Sequence, residues 1–237
     1  MLKMFSKFKY YLRRNGINIQ KRPAGVFRPA ALLEKYEINL LLDIGANVGD
    51  YANTIRSLGY NGDIYSFEPL KDAFEKLKKR SGHDDQWKVF NIAIGDFDGK
   101  SEINVASNSE SSSILDMSPN HLKSAPQSVY TRREEIIIKK LDTLFEEKVL
   151  DIQRNIFLKV DTQGFEKRVL EGGLNSMSSI KGIQLEMSLI ELYEDEPLMV
   201  EMINYLSDLG YRLCFLEPVF SDPNTSQLLQ VDGVFYK

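Results

Sequence analysis

Residues 43–50 read Asp-Ile-Gly-Ala-Asn-Val-Gly-Asp and follow directly on Leu40-Leu41-Leu42. A short apolar run that stops at a glycine predicts a buried strand, here over 39–44. Val48, Tyr51, Ile55 and Leu58 then recur on one face until Gly59, which predicts a helix over 47–58. Strand, glycine turn and helix in that order open a parallel α/β unit. Gly45 lets the chain turn tightly and puts no side chain in the way of a ligand, and Gly49 lets the helix start close to its strand.

The alternation continues along the chain. Further strands are predicted over 63–67, 87–92, 134–139, 155–160 and 182–187, and further helices over 70–80, 141–147, 165–171 and 198–209. Such connections imply right-handed crossovers and parallel pairing. The ending differs, because 211–216 and 228–236 are apolar runs with a loop but no helix between them. That pair predicts a hairpin and an antiparallel last strand. Residues 96–133 are richer in Ser, Asn, Asp and Pro and are expected to form an insertion, with short strands near 101–106, that acts as a lid. The expected fold is a doubly wound α/β sheet, mostly parallel, with its ligand beyond the carboxyl ends of the strands near the switch in strand order.

Composition narrows the function. A chain of 237 residues holds one sizeable core. One cysteine excludes an internal disulfide, and two histidines exclude a Cys/His zinc cluster. No run of about eighteen apolar residues predicts a membrane span. These features fit a cytoplasmic protein. The net charge of −4 is unevenly spread: residues 1–22 carry seven basic residues and no acid, which leaves 23 basic against 34 acidic residues, a net of −11, for the rest. An acidic body argues against nucleic acid as a partner. Residues 1–37 are read as a basic helical arm and 38–237 as the main domain. Within the arm, Leu2, Phe5, Phe8 and Tyr11 interleave the charges of 1–22. One reading is a peripheral helix on an anionic inner membrane face, and the other is a helix packed on the body with its lysines in water.

The glycine turn departs from a dinucleotide fingerprint, since Asn47 and Asp50 stand where G-x-G-x-x-G needs glycines. An acid at Asp43 also repels a pyrophosphate and suits a cationic or zwitterionic ligand. Glu68, nineteen residues after Gly49 at a strand end before Pro69, stands where a carboxylate accepts both hydroxyls of an unphosphorylated ribose.

The turn and the spaced acid resemble the class I, Rossmann-like, S-adenosylmethionine methyltransferases. A longer series of motifs resembles the FkbM-type methyltransferases over roughly residues 38–236. It runs Leu42-Asp43-Ile44-Gly45-Ala46-Asn47-Val48-Gly49, Phe67-Glu68-Pro69, Asn91-Ile92-Ala93-Ile94-Gly95-Asp96, Ser111-Ser112-Ser113, Leu141-Asp142-Thr143-Leu144, Leu158 to Glu166, and Glu186-Met187-Ser188. Asp161-x-x-Gly-x-Glu is its most specific part. The resemblance implies S-adenosyl-L-methionine as cofactor and O-methylation of a hydroxyl, often on a sugar of a glycan or on a small metabolite. Thr162-Gln163 replaces the Glu or Val common in the family near that point.

The resemblance also implies roles. Asp43 is expected near the methionine ammonium, directly or through water, with Gly45, Ala46 and Asn47 against the carboxylate and ribose. Glu68 and Pro69 face the ribose, while Asn91, Ile92 and Ala93 flank the adenine, with ordinary core packing the other reading for Ile92 and Ala93. Asp161 either orients the methionine ammonium or a substrate hydroxyl, or caps the helix after it. Glu166 complements that helix's dipole. Glu186, near a strand end, is a candidate for touching substrate. His121, in the insertion, is the first choice of general base against the plainer reading of a loop residue, while His83 reads as a surface residue. Tyr193 is the candidate aromatic of the substrate loop, and Cys214, within an apolar strand, reads as inert filler. No acid cluster dedicated to a metal ion stands in the sequence. Two rival functions remain at this point: a nicotinamide-dependent oxidoreductase, and a membrane-docked, non-catalytic interaction protein.

Overall fold

The computed structural model describes residues 29–237. The basic segment 1–22 therefore lies outside the described residues. Helix α1 (Pro29–Lys35) buries Leu33 in the core, and the following Tyr36 stacks on Tyr236 with ring centroids 3.9 Å apart, so the described part of the arm is packed on the body. Among the described residues no helix is long and apolar enough to cross a membrane.

Strands β1 (Leu40–Ile44), β2 (Asp63–Phe67), β3 (Trp87–Phe90), β7 (Ile156–Val160), β8 (Ile180–Ser188), β9 (Arg212–Ser221) and β10 (Leu228–Tyr236) form one sheet in the order β3-β2-β1-β7-β8-β10-β9. The pairs from β3 to β8 are parallel, whereas β10 runs antiparallel between β8 and β9. Strand order reverses at β1, whose neighbours are β2 on one side and β7 on the other, and the crevice beyond those strand ends is where such sheets take ligands.

Helices α2 (Asp50–Ser57) and α3 (Lys71–Ser81) join α1 on one face of the sheet, over Leu41, Ile64 and Phe157. Helices α5 (Leu141–Glu146), α6 (Glu166–Glu171) and α7 (Met199–Asp208) cover the other, over Leu40, Leu42, Leu158 and Leu185. Strand β1 is buried on both faces and so reads as an almost continuous apolar run.

The insertion and the segments flanking it form a second sheet, β4 (Ala93–Ile94), β5 (Gly99–Ala106) and β6 (Tyr130–Lys139), in the order β4-β6-β5, so that 134–139, expected in the parallel series, instead pairs antiparallel with β5 outside the main sheet. Ile103, Val105, Ile136 and Ile138 pack it onto Leu70 and Ala73 at the start of α3. A short helix α4 (Pro119–Ser124) lies between β5 and β6, with Pro119 in its first turn and the Ser118 hydroxyl accepting the Asn120 N–H. The insertion is thus packed against the main domain.

Candidate active site

A cavity of about 330 Å³ opens beyond the ends of β1 and β7. Its floor is the glycine turn. Gly45, Asn47 and Gly49 have φ of 76°, 47° and 86°, in the left-handed region. A Cβ on Gly45 would lie 1.8 Å from the Asp161 carbonyl oxygen, so the two strand ends approach this closely only because residue 45 has no side chain. Gly49 does not line the cavity. A Cβ there would meet Leu77 at 2.7 Å and Trp87 at 3.0 Å, so its part is to seat α2 on its neighbours.

Glu68 lines the cavity at the end of β2 and is 5% exposed. Its Oε2 accepts the Asn47 N–H at 2.7 Å and its Oε1 the Leu70 N–H at 2.8 Å. Burial pushes its carboxyl up to about 7 against the pull of those two donors. Pro69 and Ala93 also line the cavity, beside Phe67, Leu70 and Ile94. Asn91 does not: its amide donates to the Glu68 and Pro69 carbonyls, both at 2.9 Å, and braces the loop from behind. Ile92 packs against the main core.

The sheet register sets Asp43 behind the cavity wall, beside Lys159. Asp43 is 0% exposed and is not on the cavity wall. Parallel pairing sets Ser66 on one side of it and Lys159 on the other, with Gln184 beyond Lys159. Trp87 Nε1 donates to Ser66 Oγ at 3.0 Å, and Ser66 Oγ donates to Asp43 Oδ2 at 3.1 Å. Lys159 Nζ stands 3.5 Å from Asp43 Oδ1 and 3.3 Å from Asp161 Oδ2. Tyr51 of α2 closes this row: its ring lies 5.3 Å from Lys159 Nζ, and its hydroxyl donates to Gln184 Oε1 at 2.9 Å. Burial raises the Asp43 carboxyl while Lys159 opposes the rise. Burial likewise works against the Lys159 charge, but Asp161 and Asp43 outweigh it and hold the ammonium above its ordinary value. A buried charge persists only with such partners, which is why Asp43 faces a lysine rather than the cavity.

Lys159 itself lines the cavity, together with Asp161, Gln163 and Glu186. Asp161 is not a helix cap, since α6 begins five residues later, after Phe165. Its Oδ1 accepts from Gln163 Nε2 at 2.8 Å. The same nitrogen donates to Glu186 Oε2 at 2.7 Å, and Tyr193 donates its hydroxyl to Gln163 Oε1 at 2.5 Å. Gln163 does this from a φ of 55°, a strained conformation for a residue with a side chain. Burial first, and then Asp161, raise the Glu186 carboxyl well above the usual carboxylate range. Glu166 is buried and accepts the Thr162 N–H at 2.8 Å and the Thr162 hydroxyl at 3.1 Å, holding the turn that presents Asp161 and Gln163.

His121 is not brought to the cavity wall. The capped turn of α4 directs it inward, where it is 3% exposed, with its ring edge-on to Tyr193 at 5.1 Å and its Nδ1 without a hydrogen-bond partner among the described residues. Tyr193, in the loop after β8, is fully buried behind Gln163 and does not line the cavity. Of the serine triplet only Ser112 lines the cavity, beside Ser109 and Glu110 from the same insertion. Ser113 instead donates to the Gln163 carbonyl at 2.6 Å. Cys214 is exposed on the edge strand β9. The sequence alone gives Lys159, Gln163 and Tyr51 no role in the site. A lysine within Leu158-Lys159-Val160 carries no mark of burial until Asp43 is known to lie beside it, and only the period-two alternation of both strands hints at that.

Comparison with known proteins shows the family. The family described as the methyltransferase FkbM domain matches residues 43–213. The 2-O-methyltransferase NoeI of Sinorhizobium fredii is 30% identical over 179 residues, 70% of each chain. The crystal structure of methyltransferase FkbM from Methylobacillus flagellatus KT aligns with a TM-score of 0.52 at 15% identity over 83% of this chain and 44% of that one. The present chain thus spans less than half of that protein, and the likeness is one of fold. With its β3-β2-β1-β7-β8-β10-β9 sheet and the sequence motifs of its cavity, the chain belongs to the FkbM methyltransferase family.

Proposed function

We propose that this methyltransferase uses S-adenosyl-L-methionine to methylate a hydroxyl oxygen, with a carbohydrate as acceptor. The observation that carries the reading is Glu68, a nearly buried carboxylate at the end of β2 whose two oxygens are fixed by the Asn47 and Leu70 N–H groups while it still lines the cavity. Each oxygen retains a lone pair, which suits the two hydroxyls of a ribose.

The remaining wall fits the same cofactor. Phe67, Leu70, Ala93, Ile94 and Ile103 supply an apolar side for a base. Asp161, reached from the cavity and already balanced on one side by Lys159, suits the methionine ammonium in place of the buried Asp43. When bound, the cofactor supplies a methyl group activated by its sulfonium charge. The protein then has to align the acceptor, keep water out and take up a proton. Ser109, Ser112 and Glu110 of the insertion also line the cavity, a set of residues that suits a polyhydroxylated acceptor. The 2-O-methyltransferase activity in NoeI's name supports a hydroxyl acceptor.

Calorimetry with S-adenosylhomocysteine and with NAD+ tests the cofactor. Binding of the first and none of the second is expected, and the reverse contradicts the reading. Mass spectrometry of cellular glycans with and without the chain tests the acceptor, with a methyl-sized mass difference as the expected result.

A further inference from the structure

Glu186 differs from the other acids of the cavity in how its two oxygens are used. Gln163 Nε2 and Gln230 Nε2 both donate to Oε2, at 2.7 Å and 2.9 Å, and Oε1 has no hydrogen-bond partner among the described residues. Asp161 has Oδ1 on Gln163 and Oδ2 on Lys159. Glu68 has both oxygens on backbone N–H groups. Asp50 and Glu110 also reach the wall, but both are exposed and Asp50 is paired with Arg80.

We infer that Glu186 is the general base of methyl transfer, with Oε1 accepting the proton of the acceptor hydroxyl and Gln163 and Gln230 as its positioning residues. The inference rests on the proposed O-methylation. As the new O–CH3 bond forms and the S–CH3 bond breaks, the electron pair of the broken bond goes to sulfur, which loses its positive charge. The acceptor oxygen gives its proton to Glu186 Oε1, so charge and atoms balance.

The surroundings suit this task. Two amide donors on one oxygen fix the carboxylate's rotation, and Gln163 is itself fixed by the Tyr193 hydroxyl. The ionisable groups around Glu186 are Asp161 and Lys159 from β7 and its end, Glu166 of α6, Asp232 opposite it on β10, and Tyr193. Three of these are acids, so with burial they make Glu186 a stronger base than an exposed carboxylate, nearer to the working pH at which general bases are most effective. His121, packed edge-on against Tyr193, lies off the wall.

The test compares Glu186→Gln with wild type on the full chain. Three readings are taken: calorimetry with S-adenosylhomocysteine, infrared difference spectra over a pH titration, and transfer of labelled methyl to a glycan extract from cells lacking this chain. The expected variant binds S-adenosylhomocysteine within about twofold of wild type. It loses a carboxyl band that titrates above the ordinary carboxylate range, and it transfers methyl about a hundredfold or more slowly. Gln230→Leu removes one donor from the carboxylate, so it should move the acid limb of the rate profile to higher pH without changing S-adenosylhomocysteine binding. Wild-type-like transfer by Glu186→Gln, or an unchanged titrating band, overturns the inference and leaves the proposed function standing. Failure of wild type to bind S-adenosylhomocysteine or to methylate the extract overturns the proposed function and the base with it.

Discussion

Lys159 Nζ sits 3.5 Å from Asp43 Oδ1, on neighbouring parallel strands and with both side chains almost wholly out of water. The pair turns what the sequence offers as a ligand-binding acid into the anchor of a buried polar row, Ser66-Asp43-Lys159-Gln184, across four strands. The same lysine reaches the cavity on its other side through Asp161.

Removing one partner of such a pair leaves the other charge buried and alone. Lys159→Met is therefore expected to destabilise the protein by about 3–5 kcal/mol, and Asp43→Asn combined with it by clearly less than the sum of the two single changes. Urea denaturation of the three variants measures this. Strict additivity would mean that the two side chains do not interact.

Gly45 and Gly59 separate two meanings of a left-handed glycine. Both have positive φ, but a Cβ at Gly59 meets nothing within 4 Å whereas one at Gly45 meets the Asp161 carbonyl. Gly59→Ala should cost about 1 kcal/mol from backbone strain alone. Gly45→Ala should cost more and should also abolish S-adenosylhomocysteine binding, because β1 and β7 have to part. Equal losses in the two variants would argue against the close approach.

Burial pushes Glu68 and Glu166 each to about 7, above the unfolded carboxylate value. Between that ordinary value and 7 the folded chain holds more protons than the unfolded chain, so the contribution of these groups to stability is present at low pH and is lost as pH rises through 7. The denaturation midpoint of the free protein is expected to be higher at pH 5 than at pH 8, with a smaller difference in Glu166→Gln. S-adenosylhomocysteine, which the ionised Glu68 should hold, is expected to bind more tightly as pH rises across the same range. A pH-independent affinity would remove Glu68 from the ribose site.

His121→Ala opens a small gap beside Tyr193 and Phe220. It should lower stability by about 1–3 kcal/mol while keeping S-adenosylhomocysteine affinity and losing less than about tenfold in transfer. A hundredfold loss of transfer in a folded variant would restore His121 as the base.

Much of this fold is legible in the residues because β1, β7 and β8 are buried on both faces and each is followed by turn residues and a helix. The hairpin ending is legible too, from 211–216 and 228–236 with no helix between them, although β9 runs on through Pro218 to Ser221. Pro218 is tolerated because β9 is an edge strand. The exposed Leu213, Cys214, Leu216 and Val219 have the same cause, since apolar neighbours in sequence say nothing about whether a strand lies at a sheet's edge.

The site is legible where local geometry sets it, as at Gly45 and at Glu68 before Pro69. It is not legible where pairing between distant strands sets it. Asp43 is read as a ligand acid until Lys159 is placed beside it. Gln163 reads as a neutral variant until its amide is seen joining Asp161 to Glu186. The Ser-Pro-Asn-His run around His121 looks like an open loop, yet Ser118 and Pro119 are helix-starting residues, and the short helix they begin turns the ring inward.

The most direct measurement is a crystal structure of the protein with S-adenosylhomocysteine. The account predicts the nucleoside in the cavity beyond β1 and β7, its ribose hydroxyls within about 3 Å of the Glu68 oxygens and its amino group at Asp161. A nucleoside lodged elsewhere, or one whose ribose makes no contact with Glu68, would contradict it.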